Sequence, residues 1–335
     1  MPETSRITVA LPTFNGSRHL REALSGILGQ DRVDFELIVA DDRSEDDTLS
    51  IVREMAGDRA RISVNSERLG LAGNWNRCVS LSQTPLVAIF HQDDVMRSGH
   101  VAAHLGAFAD DPTVGLIASA ADVIDEAGRD VPATVVGRGG CGPADRRFGP
   151  GAFLAELAAE NPLRCSGVTV ARAVHEAVGG FDPSYRYVVD WDFWIRVART
   201  HPVTWLAAPT VAIRWHSASE THRFRGGTAD LDETVRLLDA FAADFAHFPE
   251  ARGRADRRLA RAFLNRAYTA SKAGDHGLAR RCLSRSIRLD PRTLGVIASD
   301  PKLAARLVGS LIRHGHRSDV EQESAISRTA TPPGR

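Results

Sequence analysis

Two aspartate pairs, each closing an apolar run, carry the chemistry that can be read first from this chain. Asp41-Asp42 follows Phe35-Glu36-Leu37-Ile38-Val39-Ala40, and Asp93-Asp94 follows Leu86-Val87-Ala88-Ile89-Phe90-His91-Gln92. Runs of that length, rich in Val and Ile, read as strands buried on both faces. Carboxylates at their ends emerge at the rim of a parallel sheet, where open α/β folds bind ligands. Two acidic rims suit a nucleotide and a hard divalent cation. Asp in such places also caps helices and shapes turns, which is the plainer reading.

The elements that must position these residues alternate regularly. Strands are expected at Ile7–Leu11, Phe35–Ala40, Arg61–Asn65 and Leu86–Phe90, with helices at Arg18–Gln30, Asp46–Ala56 and Gly73–Ser82 between them. This pattern predicts βαβ units with right-handed crossovers. A helix at Gly99–Phe108 and a strand at Val114–Ile124 follow. Glycines at 128, 137, 139, 140, 142 and 149 mark a long loop over 131–150. Order resumes at Gly151–Glu160, a strand near Ser166–Val170, a helix at Asp190–Thr200 and a strand at Val203–Arg214.

Beyond about Asp230 the texture turns to Ala, Arg and Leu with helical period. Leu264–Arg292, with its Gly274-Asp275 turn and terminal Pro291, resembles one tetratricopeptide hairpin. Lys302–Arg317 reads as an amphipathic helix whose basic ends suit packing on the hairpin or a membrane surface. Ser318–Arg335 reads as disordered. The expected division is therefore an α/β domain over 1–225, a helical region over 226–317 and a tail over 318–335. A protein or peripheral membrane contact is expected through 226–317.

With 42 basic and 42 acidic residues the chain has no net charge, so no global field favours nucleic acid. Cys78, Cys141, Cys165 and Cys282 lack any CxxC spacing and read as reduced thiols. No signal-like start and no spanning apolar stretch are evident, which gives a cytoplasmic expectation.

Ile7-Thr-Val-Ala-Leu-Pro-Thr-Phe-Asn15, then Leu37-Ile-Val-Ala-Asp-Asp-Arg-Ser44 and Asp46-Asp47-Thr48, resemble the opening of inverting glycosyltransferases of family 2. That resemblance spans roughly residues 5–217. It implies a GT-A-like, Rossmann-type mixed sheet flanked by helices, with the C-terminal region as an all-α appendage. It also implies a nucleoside-diphosphate-sugar donor and a sugar or lipid-linked acceptor. Pro12, Thr13, Phe14 (where the family has Tyr), Asn15, Asp41 and Asp42 then fall in the nucleotide pocket. A carboxylate at Asp41 would accept a base N–H, which favours a UDP- or dTDP-sugar. No GxGxxG follows the first strand, against a dinucleotide site.

Within Gly70-Leu-Ala-Gly-Asn-Trp-Asn76, the resemblance brings Asn74 and Asn76 near the donor. His91-Gln92-Asp93-Asp94 stands where the family has Asp-x-Asp. His91 replaces the first acid and, with Gln92, is assigned to the donor, while Asp93 and Asp94 hold Mg²⁺ or Mn²⁺ on the diphosphate. Val189-Asp190-Trp191-Asp192 resembles the family's Glu-Asp-x-Asp block, which makes Asp190 the general base that deprotonates the acceptor hydroxyl. Asp192 and Arg196, spaced i,i+4, brace their helix. Arg214-Trp215-His216 and Ser219 resemble the family's Arg-x-His-x-x-Ser block. Arg214 is assigned to phosphate and His216 to the metal shell.

The function expected is metal-dependent, inverting sugar transfer in surface polysaccharide, glycolipid or other glycoconjugate assembly. Two alternatives stay open: a sugar-phosphate nucleotidyltransferase, and an inactive sugar-nucleotide-binding module acting through its helical region.

Overall fold

The computed structural model describes residues 6–30, 34–132, 139–216, 224 and 227–312. Contacts divide the chain into two compact units, Met1–Arg252 and Gly253–Arg335.

The first unit is built on one mixed sheet. Its strands are β1 (Ile7–Thr13), β2 (Glu36–Asp41), β3 (Ala60–Val64), β4 (Leu86–Ile89), β5 (Val95–Met96), β6 (Leu116–Ile124), β7 (Arg146–Phe148), β8 (Val168–Ala171) and β9 (Val203–Arg214). They lie in the order β3-β2-β1-β4-β8-β6-β9-β5, with β7 also paired to β9. β3, β2, β1 and β4 run parallel, the expected βαβ half. β8 then enters antiparallel between β4 and β6. β6 and β9 run parallel, and β5 and β7 close against β9 antiparallel.

β1 and β2 are buried along their whole length, as sheet interior covered on both faces requires. The helices supplying that cover include α1 (Ser17–Leu28), α2 (Thr48–Ala56), α3 (Gly70–Leu81) and α4 (His100–Asp110). α1 turns Leu20, Ala23, Leu24 and Ile27 into the core. Burial of each large aliphatic among them is worth about 1.5–3 kcal/mol. α5 (Leu154–Leu157), α6 (Arg172–Val178) and α7 (Val189–Thr200) follow, then α8 (Ala229–Ala240) and α9 (Ala242–Phe245).

Three details differ from the sequence-based expectation. The loop over 131–150 contains β7, and β5 is likewise too short to show a period. The domain boundary lies at 252/253 instead of 225/226. α8 belongs with the first unit because it buries Leu231, Val235, Leu237 and Leu238, and its Glu233 accepts the backbone N–H groups of Arg186 and Tyr187. Asp244 of α9 pairs with Arg199 of α7 as well.

The second unit is helical: most of α10 (Pro249–Ala273), then α11 (His276–Leu289), α12 (Thr293–Ser299) and α13 (Pro301–Ile312). The hairpin of α10 and α11 turns at Gly274, whose φ of 85° suits a residue without a Cβ, and Asp275 caps α11 through the Leu278 N–H. Ser286 on α11 donates to the Ala260 carbonyl on α10 at 2.7 Å. α13 is described only to Ile312, so the end of the helix expected over Lys302–Arg317 and the tail over 318–335 lie outside the described residues.

Candidate active site

The loops after β1 and β2 are welded together by buried acids. Asp41 has no exposed surface, and its carboxylate accepts from Thr13 Oγ1 (2.7 Å), Ser44 N (2.8 Å) and Ser44 Oγ (2.6 Å). Asp42, equally buried, accepts from Asn65 Nδ2 (2.9 Å), Leu69 N (2.7 Å) and Gly70 N (2.8 Å), fixing the entry to α3. Asn15 adopts a left-handed φ of 44°, which Asn tolerates, and takes the Glu45 N–H on its side chain. Asp46 receives the Ser17 N–H and so closes the start of α1. At the open edge Phe14 is half-buried beneath the Arg68 guanidinium, 3.6 Å above its ring.

At the end of β4, Gln92 pairs both ways with the Phe14 backbone, accepting its N–H at 2.9 Å and donating to its carbonyl at 3.1 Å. His91, Asp93 and Asp94 bring one ligand atom each to within 4.8 Å of one another. Asp94 is buried and accepts from Ser166 Oγ (2.5 Å) and Arg214 N (2.9 Å). Burial and the neighbouring Asp93 charge push its carboxyl up to about 6. Asp93 is more exposed and lies 2.9 Å from His216 Nε2. Burial acts to raise it as well, but the His216 hydrogen bond and the His91 and His216 charges outweigh that and hold it below the usual range. His91 stacks on Trp75, with ring centroids 5.3 Å apart.

α7 supplies the third acid. Asp190 is half-buried in its first turn and accepts Trp191 N at 2.7 Å and Asn161 Nδ2 at 3.0 Å. Burial raises its carboxyl above the ordinary value, with those hydrogen bonds and the His91 and Arg164 charges opposing. Asn161, which holds Asp190, lies five residues before Ser166, which holds Asp94 beyond the end of β4. Val189, where the family carries an acid, is buried, so this chain places a core side chain there. Arg196 grips Asp192 as expected and extends to the Val178 and Gly180 carbonyls, docking the 178–180 turn onto α7.

The comparisons with known proteins agree with this frame. The sequence model of glycosyl transferase family 2 matches residues 8–159. The chain is similar to that family over those residues, a little under half of its length. It is 28% identical to an uncharacterized Mycobacterium tuberculosis protein over 248 residues, covering 72% of this chain and 77% of that one. It is 35% identical over 97 residues to the Campylobacter jejuni GalNAc(5)-diNAcBac-PP-undecaprenol beta-1,3-glucosyltransferase, covering 28% of this chain and 31% of that enzyme. Among solved structures, Staphylococcus aureus TarS 1-349 in complex with UDP-GlcNAc superposes with a TM-score of 0.54 at 16% identity, covering 91% of this chain and 79% of that one. The sheet is therefore GT-A-like, and the likeness to family 2 glycosyltransferases holds over residues 8–159.

Several of the expected donor contacts hold groups of the protein itself. Asp41 and Asp42 spend their carboxylates on the protein's own N–H and O–H groups, so neither offers a free oxygen to a nucleoside. Asn74 bridges the Ala40 carbonyl and Asn65, and Asn76 pairs with the Phe181 backbone, so both are braces. Gln92 is likewise committed to Phe14, and Pro12 and Thr13 are buried. Arg214 is buried and its guanidinium is spent on the Asp93, Asp125 and Glu126 carbonyls and on Glu22. It locks the site together, with four of its five N–H donors committed to these groups. Ser219 lies outside the described residues. What remains open at the rim is Phe14, Asn15, His91, Asp93 and Asp190.

The donor set fits a divalent cation. Two adjacent carboxylates repel, one of them is raised by burial and by that repulsion, and His91 Nε2 has no hydrogen-bond partner among the described residues. A hard cation with oxygen preference would relieve that repulsion. A second grouping, His19, Glu126 and His216, sits near a cleft of about 500 Å³ lined by Arg18, Glu126, Arg129 and Trp215. There Glu126 is held by Arg18 at 2.5 Å, and burial, with Arg214 and Arg18 nearby, depresses His19, so the cationic neighbours disfavour a metal. Sequence reasoning missed Asn161, Ser166 and Glu22 as individual contributors, since each acts on a partner 29 to 192 positions away.

Proposed function

We propose that this enzyme moves a sugar from a nucleoside diphosphate, preferably UDP or dTDP, to an acceptor hydroxyl in a metal-dependent, inverting reaction. The observation that carries the reading is Asp190: an ionisable carboxylate, raised by burial, at a helix start beside the Asp93-Asp94 end of β4. Phe14 and Arg68 frame the nucleoside edge. Asp93, aided by Asp94, His91 and His216, would hold Mg²⁺ or Mn²⁺. Bound there, such a cation neutralises charge on the departing diphosphate. Asp190 takes the acceptor proton as the acceptor oxygen bonds to the anomeric carbon and the bond to the phosphate oxygen breaks, inverting that centre.

The UDP preference is supported by the TarS complex, since Asp41 no longer argues for a base. The name of the Campylobacter relative, a diphospho-undecaprenol glucosyltransferase, supports a lipid-linked acceptor and glycoconjugate assembly. No described helix is long and apolar enough to cross a membrane. Residues 253–312 carry thirteen Arg or Lys against four Asp and no Glu, and expose Leu294, Val296 and Val308. That composition supports a peripheral contact with an anionic membrane from the cytoplasmic side.

The test is hydrolysis of a panel of UDP- and dTDP-sugars by the purified protein with Mn²⁺. Asp190→Asn should abolish turnover while leaving donor binding intact. Turnover unchanged in that variant refutes the base assignment.

A further inference from the structure

The segment before β8 reaches the Asp190 carboxylate. Asn161 Nδ2 reaches Asp190 Oδ2 at 3.0 Å, while the Leu163 N–H donates to Asn161 Oδ1 at 3.1 Å. That second bond settles which way the amide points: its oxygen is occupied by a donor, so its NH₂ must face the carboxylate. The segment itself is anchored on both sides. The Gly140 N–H donates to the Pro162 carbonyl at 2.8 Å, and a Cβ at Gly139 would come within 2.7 Å of that same oxygen, so this approach requires glycine. Five residues beyond Asn161, Ser166 holds Asp94 and receives the His91 N–H.

We propose that Asn161 is a positioning residue for the transfer reaction, its amide fixing the Asp190 carboxylate and favouring the anionic, proton-accepting form. The inference rests on Asp190 being the base. A donor aimed at a carboxylate stabilises the anion and leaves the neutral acid without compensation. Other groups facing Asp190 are His91 from the end of β4 and Arg164 from the same segment, both favouring the anion, and the buried Cys165 thiol, itself pushed up by burial and by Asp190. Asp190 Oδ1 is already taken by the Trp191 N–H, so Asn161 sets the second oxygen and hence the plane of the carboxylate.

The experiment is a ¹³C carboxyl NMR titration of the full chain, free of divalent cations, with Asp190→Asn identifying the Asp190 resonance. Asn161→Ala should move the Asp190 midpoint upward by about one unit, the tenfold bias of a hydrogen bond to a charged group. Asn161→Asp, nearly isosteric, should move it further because it adds a like charge. Both variants should also lower kcat for donor hydrolysis with the donor KM unchanged, and the pH at which kcat reaches half its plateau should rise with the Asp190 midpoint. A midpoint unmoved in both variants while their melting temperatures match the wild type overturns the proposal. Turnover surviving in Asp190→Asn would instead strike the base assignment itself, so the two failures read differently.

Discussion

Replacing Asp42 with Ala separates a nucleoside contact from a structural clamp. If Asp42 touched the donor, Asp42→Ala would weaken donor binding and leave folding alone. In the structure the carboxylate is buried and accepts Asn65 Nδ2, Leu69 N and Gly70 N. Asn65 is itself buried, and its amide would lose a charged partner at a cost of about 1–3 kcal/mol. Leu69 and Gly70 are less enclosed, so water can replace part of what their N–H groups lose, about 1 kcal/mol each. The expected destabilisation is about 3–5 kcal/mol, a large share of the roughly 5–15 kcal/mol that domains possess. For a unit of this size that lowers the melting temperature by about 10 °C. Urea unfolding followed by circular dichroism measures it. Asp42→Asn should fall between, since the amide keeps one acceptor but points its NH₂ at the remaining donors. A loss below about 1 kcal/mol for the Ala variant, together with impaired donor binding, would refute the clamp.

Three further outcomes follow from the same geometry. Donor turnover should rise with pH through a midpoint above the ordinary carboxylate range, because burial raises Asp190 and only the anion accepts a proton. By linkage that raised group stabilises the fold below its unfolded value and costs stability as pH climbs through its folded one, so Asp190→Asn should melt higher than wild type at neutral pH. Mn²⁺ at a hundredfold excess over its Kd should stabilise the protein by about 2.7 kcal/mol near pH 7.5. That gain should shrink at pH 5, where Asp94 is protonated, and vanish in Asp93→Ala, as differential scanning fluorimetry would report. Gly16→Ala should cost about 1–3 kcal/mol in chemical denaturation, since its Cβ would fall 2.1 Å from Gln92 Oε1 and expel that amide from its pairing with Phe14.

The parallel half of the sheet was legible because buried runs such as Leu37–Ala40 leave no other reading. The end of the first unit was not, since α8 has the same Ala- and Leu-rich texture as the helices after it and only its contacts assign it. At the site, residue types announced themselves but not their partners. Asp41, Asp42, Asn74 and Asn76 look like ligand contacts in a line of letters, and spacing cannot reveal that backbone N–H groups at 44, 69, 70 and 181 have already claimed them or been claimed. Asp190 was placed by its motif, whereas Asn161 had no motif to mark it. β5 and β7 escaped because two or three residues define no period and their partner, β9, is contributed about 60 to 120 positions later.

The antiparallel insertion of β8 also orders events in time. β1 to β4 are neighbours in sequence and can assemble while the chain is still emerging. Asp94 by then is already made, but its two hydrogen-bond donors, Ser166 and the Arg214 N–H, lie 72 and 120 residues downstream. A nascent chain stopped short of β9 would therefore hold a formed half-sheet with its acidic rim still loose, and reactivity would arrive in one late step when β9 seats.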